Sequence, residues 1–307
     1  MNSASLNTLT ITHHPLRDGE RDRQRAILER NAALMAHFPD DRRAAYAAMA
    51  SQTAPAAGVS LSDTHSDEAK GLWLRPSFAR ADRVILFIHG GGYHLGDATS
   101  YSGFAGQIAA RTKCLVFSMD YPLAPECLFP APFLAVVRAR NWLAASGYRQ
   151  VALVGDSAGG GLALASLNEP LIGSRIASVV VFSPWTDLAL TGASFSSPET
   201  YDPVFQPSVL ASLARSYLGG ADPRDYRASP IYGIPDQPPP IAIQVGTDEL
   251  LLDDSREYAR RAAKKGNSVT LDVFEGMHHV FQRDAGRLET ADVALDLAAE
   301  FITRHWQ

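Results

Sequence analysis

Residues 151–159, with the sequence VALVGDSAG, decide the fold and point to its chemistry. Four apolar residues lead straight into the pattern Gly-x-Ser-x-Gly, and more small residues follow it. The apolar run predicts a buried strand, and the glycines leave room for a sharp turn into a helix. Such a turn lifts the hydroxyl of Ser157 clear of the backbone, as a serine nucleophile requires. The alternative interpretation is a serine that caps an ordinary helix.

Short apolar runs alternate with helical patterns on both sides of this stretch. The runs cover residues 84–88, 114–119, 151–154, 178–182 and 241–245, with an alternating segment at 269–273. Helical patterns cover residues 98–112, 131–146, 158–168, 253–266 and 286–305. Runs that are apolar on both sides are typical of parallel strands covered on both faces. The alternation therefore predicts an α/β fold with a mostly parallel sheet and right-handed crossovers.

The N-terminal part of the chain stands outside this alternation. Residues 20–50 show helical patterning among many charged residues, and residues 51–66 read as a polar connector. We predict that residues 1–50 form an N-terminal helical cap element. The remaining chain, residues 51–307, is predicted to form the catalytic domain.

A second interruption separates the strands that end near residue 182 and begin at residue 241. It is rich in proline and holds one predicted helix, at residues 208–218. A long excursion from an α/β core usually has a function. We therefore expect an insertion, about residues 188–225, to fold as a cap over the carboxyl edge of the sheet. A surface insertion without a function is the alternative.

Composition limits the classes of function. The chain has 307 residues, 46% of them hydrophobic and 20% charged, and its formal net charge is −5. These values fit a globular α/β protein. The negative charge and the lack of a basic run argue against nucleic acid or an anionic membrane as a partner. No apolar stretch in the sequence is long enough to span a bilayer.

The cysteines and the first residues bear on location. Cys114 and Cys127 are too few for a disulfide framework, and their spacing does not fit a zinc site, so we expect no metal. The sequence does not begin with the charged start and apolar stretch of a secretory leader. Together these features predict a reduced, cytoplasmic setting.

A glycine-rich segment follows the strand predicted at residues 84–88. It reads His-Gly-Gly-Gly-Tyr over residues 89–93. Attack of a serine on an acyl carbon creates an oxyanion, and each fixed donor beside it contributes about 3 kcal/mol. Backbone amides serve best where no side chain obstructs them, so the expected donors are the amides of Gly91, Gly92 and Ala158. The alternative is a simple glycine-rich turn.

These motifs resemble those of one known family. HGGG at residues 89–92 and GDSAG at 155–159 are similar to the motifs of the bacterial hormone-sensitive-lipase family of α/β-hydrolase carboxylesterases. Residues 120–126, DYPLAPE, resemble the family's DYRLAPE, with Pro122 in place of the usual arginine. Residues 183–188, SPWTDL, are also similar. The resemblance extends from about residue 70 to residue 285.

The resemblance implies a fold and an activity. The expected fold is an α/β-hydrolase fold whose mostly parallel sheet has eight strands, with helices on both faces and a helical cap. The expected activity is hydrolysis of short-chain acyl esters by a serine carboxylesterase through an acyl-enzyme intermediate. The resemblance also implies that no cofactor is needed and that dimerisation is frequent in the family, so a homodimer is one expected state of the chain.

A general base is expected on the loop after the last strand. Residues 276–281 read GMHHVF and supply two candidates, His278 and His279. The family pattern of histidine, one residue and phenylalanine selects His279, and His278 would then be its neighbour. The alternative is that both are ordinary surface histidines.

The acid that orients this histidine is expected after the strand at residues 241–245, where either Asp248 or Glu249 could serve. Matching to the family without a gap places the acid three residues after Gly246, at Glu249. Choosing Asp248 requires a gap of one residue. We therefore predict Glu249, and we expect Asp253 and Asp254 to cap the following helix.

Three other functions compete with this prediction. A lactonase that acts on small cyclic esters would use the same residues. Some relatives are receptors for small molecules that keep the fold but lose the catalytic histidine, whereas His279 is present here. A purely structural role leaves unexplained why four separate segments carry compatible chemistry.

Overall fold

Nine strands form one sheet in the structure, a computed structural model that describes residues 9–66 and 68–306. In chain order they are β1 (Leu9–His14), β2 (Val59–His65), β3 (Lys70–Pro76), β4 (Arg83–Ile88), β5 (Leu115–Met119), β6 (Gln150–Asp156), β7 (Arg175–Phe182), β8 (Ile241–Asp248) and β9 (Val269–His278). Their order across the sheet is β1-β9-β8-β7-β6-β4-β5-β3-β2. Strand β3 runs antiparallel to both of its neighbours, β2 and β5. All other neighbouring pairs in the described sheet are parallel.

Helices cover both faces of this sheet. In chain order the described helices are α1 (Glu20–Ala36), α2 (Arg42–Ala50), α3 (Ser102–Thr112), α4 (Ala131–Ala145), α5 (Ser157–Ala165), α6 (Ala193–Ser196), α7 (Pro207–Leu218), α8 (Leu252–Lys264) and α9 (Glu289–Arg304). Side chains of α3 and α9 form an apolar layer on one face, and side chains of α4, α5 and α8 form the layer on the other. None of the helices in the described part of the chain has the length and apolar character needed to cross a bilayer.

Strand β4 shows why the central strands read as continuous apolar runs. Phe87 packs into the layer of α3 and α9, and its neighbour Leu86 packs into the layer of α4 and α5. Both side chains are fully buried. Because each face of the strand is covered, every position along it favours an apolar residue. Each such side chain contributes about 1.5–3 kcal/mol on burial.

The predicted fold class is confirmed, and the sheet has one strand more than expected. The six predicted runs correspond to β4 to β9, and the helices predicted in the catalytic domain are present. The additional edge strand is β1, which pairs with β9 in parallel. The region predicted to be a helical cap element therefore contains a strand before its two helices. Its residues 1–8 lie outside the described residues.

Two further strands were missed by the sequence analysis. Residues 59–65 form β2 rather than a connector, and residues 70–76 form β3. Strands β1 and β2 lie at the two edges of the sheet, and their side chains are mostly exposed where the structure describes them. An edge strand with a solvent-exposed face needs no continuous apolar run, so its sequence lacks the pattern that identifies a buried strand.

The parallel strands bring four loops together. The segments after β4, β6, β8 and β9 all leave the same edge of the sheet, since parallel strands end on the same side. Helices α1, α2 and α7 lie over this edge, because side chains from all three line a cavity that also reaches Ser157. The excursion between β7 and β8 contributes α6 and α7. The division of the chain into cap and catalytic domain remains a prediction.

Candidate active site

Ser157 lies at a sharp junction between a strand and a helix. Strand β6 ends at Asp156, and α5 begins at Ser157, whose φ of +50° is unusual for a residue with a side chain. Such a conformation costs about 1–3 kcal/mol and persists only where the surroundings enforce it. A Cβ atom on Gly155 would lie 2.6 Å from the Gly159 carbonyl oxygen, and one on Gly159 would lie 2.1 Å from that of Ile88. Both glycines of the motif are therefore required by close backbone approach.

His279 and Glu249 form a buried pair. His279 follows the end of β9, and its Nδ1 atom lies 2.8 Å from Oε2 of Glu249. Their side chains are 3% and 0% exposed. A proton on Nδ1 donated to this carboxylate leaves Nε2 free as a base. The structure thus brings together the two residues that gapless matching selected.

Glu249 is held by further hydrogen bonds. Its Oε1 atom accepts hydrogen bonds from the Gly246 amide and from the Ser183 hydroxyl, both at 2.8 Å. The Ser183 hydroxyl oxygen in turn accepts a hydrogen bond from the Val280 amide at 3.1 Å. Ser183 therefore joins the acid loop to the histidine loop. A buried carboxylate needs such partners, because an unsatisfied charged oxygen is costly.

Ser183 has no role predicted from the sequence, where residues 183–188 carry only a family resemblance. Its φ of +46° is unusual for a residue with a side chain. Its partners lie 66 and 97 residues away along the chain. No local pattern reveals contacts of that sequence separation, and the motif was the one available signal.

The alternative candidates for the acid and the base, Asp248 and His278, have other partners. Asp248 accepts a hydrogen bond from the Arg21 guanidinium of α1 and one from the Thr247 hydroxyl. Nε2 of His278 lies 3.2 Å from a carboxylate oxygen of Asp284. Neither residue contacts the pair formed by His279 and Glu249 in the described hydrogen bonds.

The prediction that Asp253 and Asp254 cap the following helix is wrong. Both lie inside the first turn of α8, and its N-terminal residue receives no side-chain cap. Asp253 instead accepts a hydrogen bond from the Ser194 amide at 2.8 Å. Asp254 accepts hydrogen bonds from the amides of Thr186 and Asp187, at 2.8 and 2.9 Å. Asp254 thus binds the loop after β7 and Asp253 binds an amide in the first turn of α6, so both carboxylates satisfy backbone donors outside their own helix.

The glycine segment after β4 leaves two amides available. The Gly90 amide donates to Oδ1 of Asp156 at 2.9 Å. Gly91 and Gly92 have φ values of +111° and +60°, and within the described residues their amides donate to no other group. A Cβ atom on Gly91 would lie 2.1 Å from the Leu95 carbonyl oxygen, so this position requires glycine.

The third predicted donor lies at the start of α5. Ala158 is the second residue of this helix, and the first four amides of a helix have no partner within it. The partial positive charge of the helix N-terminus adds to the attraction for an anion. The arrangement therefore offers the amides of Gly91, Gly92 and Ala158 as donors to an oxyanion.

Ser157 and His279 line one cavity of about 220 Å³. Gly91 and Gly92 also line it, and Glu249 lies behind His279. Within the described residues, no hydrogen bond joins the Ser157 hydroxyl to His279. Catalytic hydrogen bonds are often long before substrate binds and close in the complex.

The cap excursion contacts the histidine loop. The ring of Phe205 packs edge-on against His279, with 5.1 Å between ring centroids. Asp202 accepts hydrogen bonds from the amides of Val204 and Phe205, and another from the Leu250 amide at 2.9 Å. Burial raises the pKa of the Asp202 carboxyl above its usual value. This excursion is thus fixed to the residue next to Glu249.

Sequence comparison identifies the family to which the chain is related. The sequence profile of the alpha/beta hydrolase fold matches residues 85–283. An acetyl-hydrolase of Streptomyces hygroscopicus is 36% identical over 75% of this chain and 78% of its own length. An esterase of Acinetobacter venetianus is 33% identical over 73% of this chain and 76% of its own length.

Solved structures extend the similarity to almost the whole chain. An esterase from the bacterial hormone-sensitive lipase family superposes with a TM-score of 0.87 at 36% identity, covering 95% of this chain and 100% of that one. A hormone-sensitive lipase from a metagenome library gives a TM-score of 0.81 at 31% identity, over 92% of this chain and 98% of that one.

Fold and site together define a serine hydrolase built on the α/β-hydrolase fold. The chain belongs to the bacterial hormone-sensitive lipase family of α/β hydrolases, and it is a carboxylesterase.

Proposed function

We propose that the protein hydrolyses short-chain acyl esters through an acyl-enzyme intermediate formed on Ser157. The observation that carries this proposal is the buried hydrogen bond between His279 and Glu249 at a cavity that Ser157 also lines. A serine becomes an effective nucleophile only beside a base that is itself oriented by a third group. His279 and Glu249 supply that base and that group.

The first half of the reaction acylates the enzyme. Nε2 of His279 takes the Ser157 hydroxyl proton as the oxygen attacks the acyl carbon of the ester. The carbonyl oxygen becomes an oxyanion, which accepts hydrogen bonds from the amides of Gly91, Gly92 and Ala158. The bond from the acyl carbon to the alcohol oxygen then breaks, and His279 gives its proton to the departing alcohol. Glu249 stabilises the imidazolium throughout.

The second half releases the acid. A water molecule attacks the acyl carbon, and His279 takes one of its protons. The same amides bind the oxyanion that forms. The bond to the Ser157 oxygen breaks, and the proton returns from His279 to that oxygen. The products are a carboxylic acid and the free enzyme.

The cavity favours small substrates. Its volume of about 220 Å³ lies below the roughly 300–1,000 Å³ typical of sites for drug-sized ligands. Its walls are mainly apolar side chains from the cap and from the loops after β4 and β7: Met35, Met49, Leu95, Trp185, Val204, Phe205, Val209, Leu210 and Leu213. An acyl chain of a few carbons fits such a space, whereas a long chain would have to displace these side chains.

A chain-length series tests the proposal. Nitrophenyl esters from acetate to dodecanoate are compared by kcat/KM, beside a panel of small lactones. We expect the maximum at acetate to hexanoate and weak or no lactone hydrolysis. A maximum at long chains, or hydrolysis of lactones alone, would reject the proposed substrate class. Ser157→Ala controls for hydrolysis by contaminants.

Two expectations about the protein in its cell stay predictions. The cytoplasmic setting rests on the composition and cysteine content of the chain. The homodimer rests on resemblance to the family.

A further inference from the structure

Arg283 is a cation at the active-site cavity. It lies four residues after His279 and lines the same cavity as Ser157. A guanidinium carries five N–H donors. In the described residues the guanidinium of Arg283 makes one hydrogen bond, from Nη1 to the Tyr46 hydroxyl at 3.1 Å. It also lies over the Tyr46 ring, 5.8 Å from its centroid.

Two carboxylates, Asp156 and Asp284, act electrostatically on the Arg283 guanidinium, but both accept hydrogen bonds from other groups. Asp284 accepts a hydrogen bond from Arg287 at 2.6 Å, and its other oxygen lies 3.2 Å from His278. Asp156 accepts hydrogen bonds from the Gly90 amide and the Tyr101 hydroxyl. Within the described chain no carboxylate forms an ion pair with Arg283. Burying a charged guanidinium without an ion-pair partner costs free energy, and a bound anion would offset that cost.

Two tyrosines hold the guanidinium from one side. Arg283 donates to the Tyr46 hydroxyl, which lies 2.6 Å from the Tyr101 hydroxyl. Tyr101 donates to Oδ2 of Asp156 at 3.1 Å. This chain of hydrogen bonds fixes one edge of the guanidinium and links it to the carboxylate of Asp156, which lines the same cavity. Its remaining donors are left for a group in the cavity.

A second arginine lies at the rim. Arg42, the first residue of α2, is exposed and lines the same cavity. Its side chain forms no hydrogen bond or ion pair in the described part of the chain. Its neighbour Arg43 is occupied by Glu126 and by the carbonyl oxygens of His94 and Ala124. In the described part of the chain, Arg42 and Arg283 line this cavity without an ion-pair partner, while Asp156 is the one carboxylate among the lining residues. Two guanidinium groups beside one carboxylate give the cavity a net positive lining.

We propose that this cavity binds esters that carry a carboxylate, and that Arg283 is the residue that contacts it. The inference rests on the proposed ester hydrolysis at Ser157 and narrows its substrate class. A planar guanidinium pairs with a carboxylate through two parallel hydrogen bonds. Arg42 attracts the same charge from the rim. The apolar wall accommodates the short carbon chain that separates the carboxylate from the ester.

Matched pairs of esters test this proposal. On the acyl arm, the 4-nitrophenyl half-ester of glutaric acid is compared with its methyl ester, which lacks the charge. On the alcohol arm, 4-acetoxybenzoate is compared with methyl 4-acetoxybenzoate. The measured quantity is the ratio of kcat/KM for the charged ester to that for the neutral ester. The pair with the high ratio shows whether the recognised carboxylate belongs to the acyl part or to the alcohol part of the ester.

The expected result is a ratio of about 10 or more in one pair for the native protein. Arg283→Gln should lower this ratio about tenfold or more, mainly by raising KM for the charged ester, and Arg283→Lys should retain part of it. Arg42→Gln should lower it a few-fold, with a loss that shrinks as salt increases. Arg43→Gln is the matched control, since Arg43 does not line the cavity, and should leave the ratio as it is.

Two results would overturn this proposal, and a third would overturn the ester hydrolysis on which it rests. A ratio near one in both pairs shows that charge is not recognised. An equal loss for charged and neutral esters in Arg283→Gln shows that Arg283 positions Tyr46 rather than substrate. Failure of both esters in each pair would instead reject the proposed hydrolysis itself.

A measurement on the native protein covers the case in which the arginine variants do not fold. The charged probes glutarate and 4-hydroxybenzoate are compared with the neutral 4-hydroxybenzamide as competitive inhibitors. One charged probe should inhibit more strongly than the neutral one and lose its advantage as salt increases. Equal or no inhibition by all three contradicts the proposal.

Discussion

The catalytic loops and the cap wall meet at the same cavity but are held in different ways. The loops are fixed by buried hydrogen bonds, such as those that Glu249 makes to His279, Ser183 and Gly246. The cap wall consists mainly of apolar side chains, and some of them, such as Met35 and Val209, remain 40% and 36% exposed.

Because of this difference, we expect the loops to determine the rate of the chemical step and the cap wall to determine substrate preference. Removing one partner from a buried polar network leaves others unsatisfied, which costs about 1–3 kcal/mol for each group. Changing an apolar side chain in the wall alters the available space by one or a few methylene groups, each about 0.8 kcal/mol. We therefore expect changes in the loops to reduce kcat and changes in the wall to alter substrate preference.

The largest effect is expected for Ser157→Ala. Loss of the nucleophile should lower kcat for nitrophenyl butyrate by roughly 10⁵-fold or more. Thermal unfolding should show a folded protein, because the substitution removes one hydroxyl and leaves the backbone turn in place. A variant that keeps more than about a hundredth of the activity would place the nucleophile elsewhere.

The next effect distinguishes two adjacent carboxylates. Glu249→Gln should lower kcat by roughly 10³- to 10⁴-fold, because the imidazole loses the charge that orients and stabilises it. Asp248→Asn is the matched control. It weakens only a partly exposed pair with Arg21, which is worth about 0–1 kcal/mol, and should leave kcat nearly unchanged. Collapse of activity in Asp248→Asn alone would show that the assignment of the acid is wrong.

A smaller effect is expected for Ser183→Ala. The substitution removes the hydroxyl between Glu249 and the Val280 amide, so kcat should fall by about tenfold while KM stays similar. Ser178→Ala provides a control, because Ser178 is a buried serine on β7 whose hydroxyl has no partner in the described structure. If the two substitutions changed kcat equally, Ser183 would have no specific role in positioning Glu249 and the histidine loop.

The smallest effect concerns the cap wall. Leu213→Ala on α7 should enlarge the cavity beside Gly92. The Leu213 side chain packs closely there, because its Cδ1 atom lies 2.9 Å from where a Cβ atom on Gly92 would be. The kcat/KM for octanoate relative to acetate should rise about fourfold for each methylene group accommodated. The measurement is the nitrophenyl ester series for both proteins. A fall in kcat for every chain length, with no change in preference, would show that this wall supports the chemistry instead.

The same contrast explains what the sequence could reveal. The central strands are apolar on both faces, so β4 and β6 are readable from their residues alone. The edge strands β1 and β2 lack this signal, since most of their described side chains are exposed. Prediction therefore succeeded along the central strands, which are buried on both faces, and failed at the exposed edge strands. Strand β3 was also missed: it lies inside the sheet, but exposed residues interrupt its buried ones, so it lacks a continuous apolar run.

The candidate site follows a similar rule. Gly91 and Gly92 occupy positions where the backbone geometry favours glycine, and Ser157 lies between Gly155 and Gly159, which close backbone approach requires, so motifs mark all three sites. Ser183 and Arg283 gain their importance from contacts with residues far away in the chain. No spacing rule predicts such contacts, and only the folded arrangement shows them.

Covalent labelling of the nucleophile tests the central claim most directly. The native protein is treated with a diethyl nitrophenyl phosphate ester, and the intact mass and the labelled peptide are measured. We predict one diethylphosphoryl group per chain on Ser157, with slower labelling in Glu249→Gln and none in Ser157→Ala. A stoichiometric adduct on another residue, or no adduct on an enzyme that still hydrolyses esters, would contradict the account.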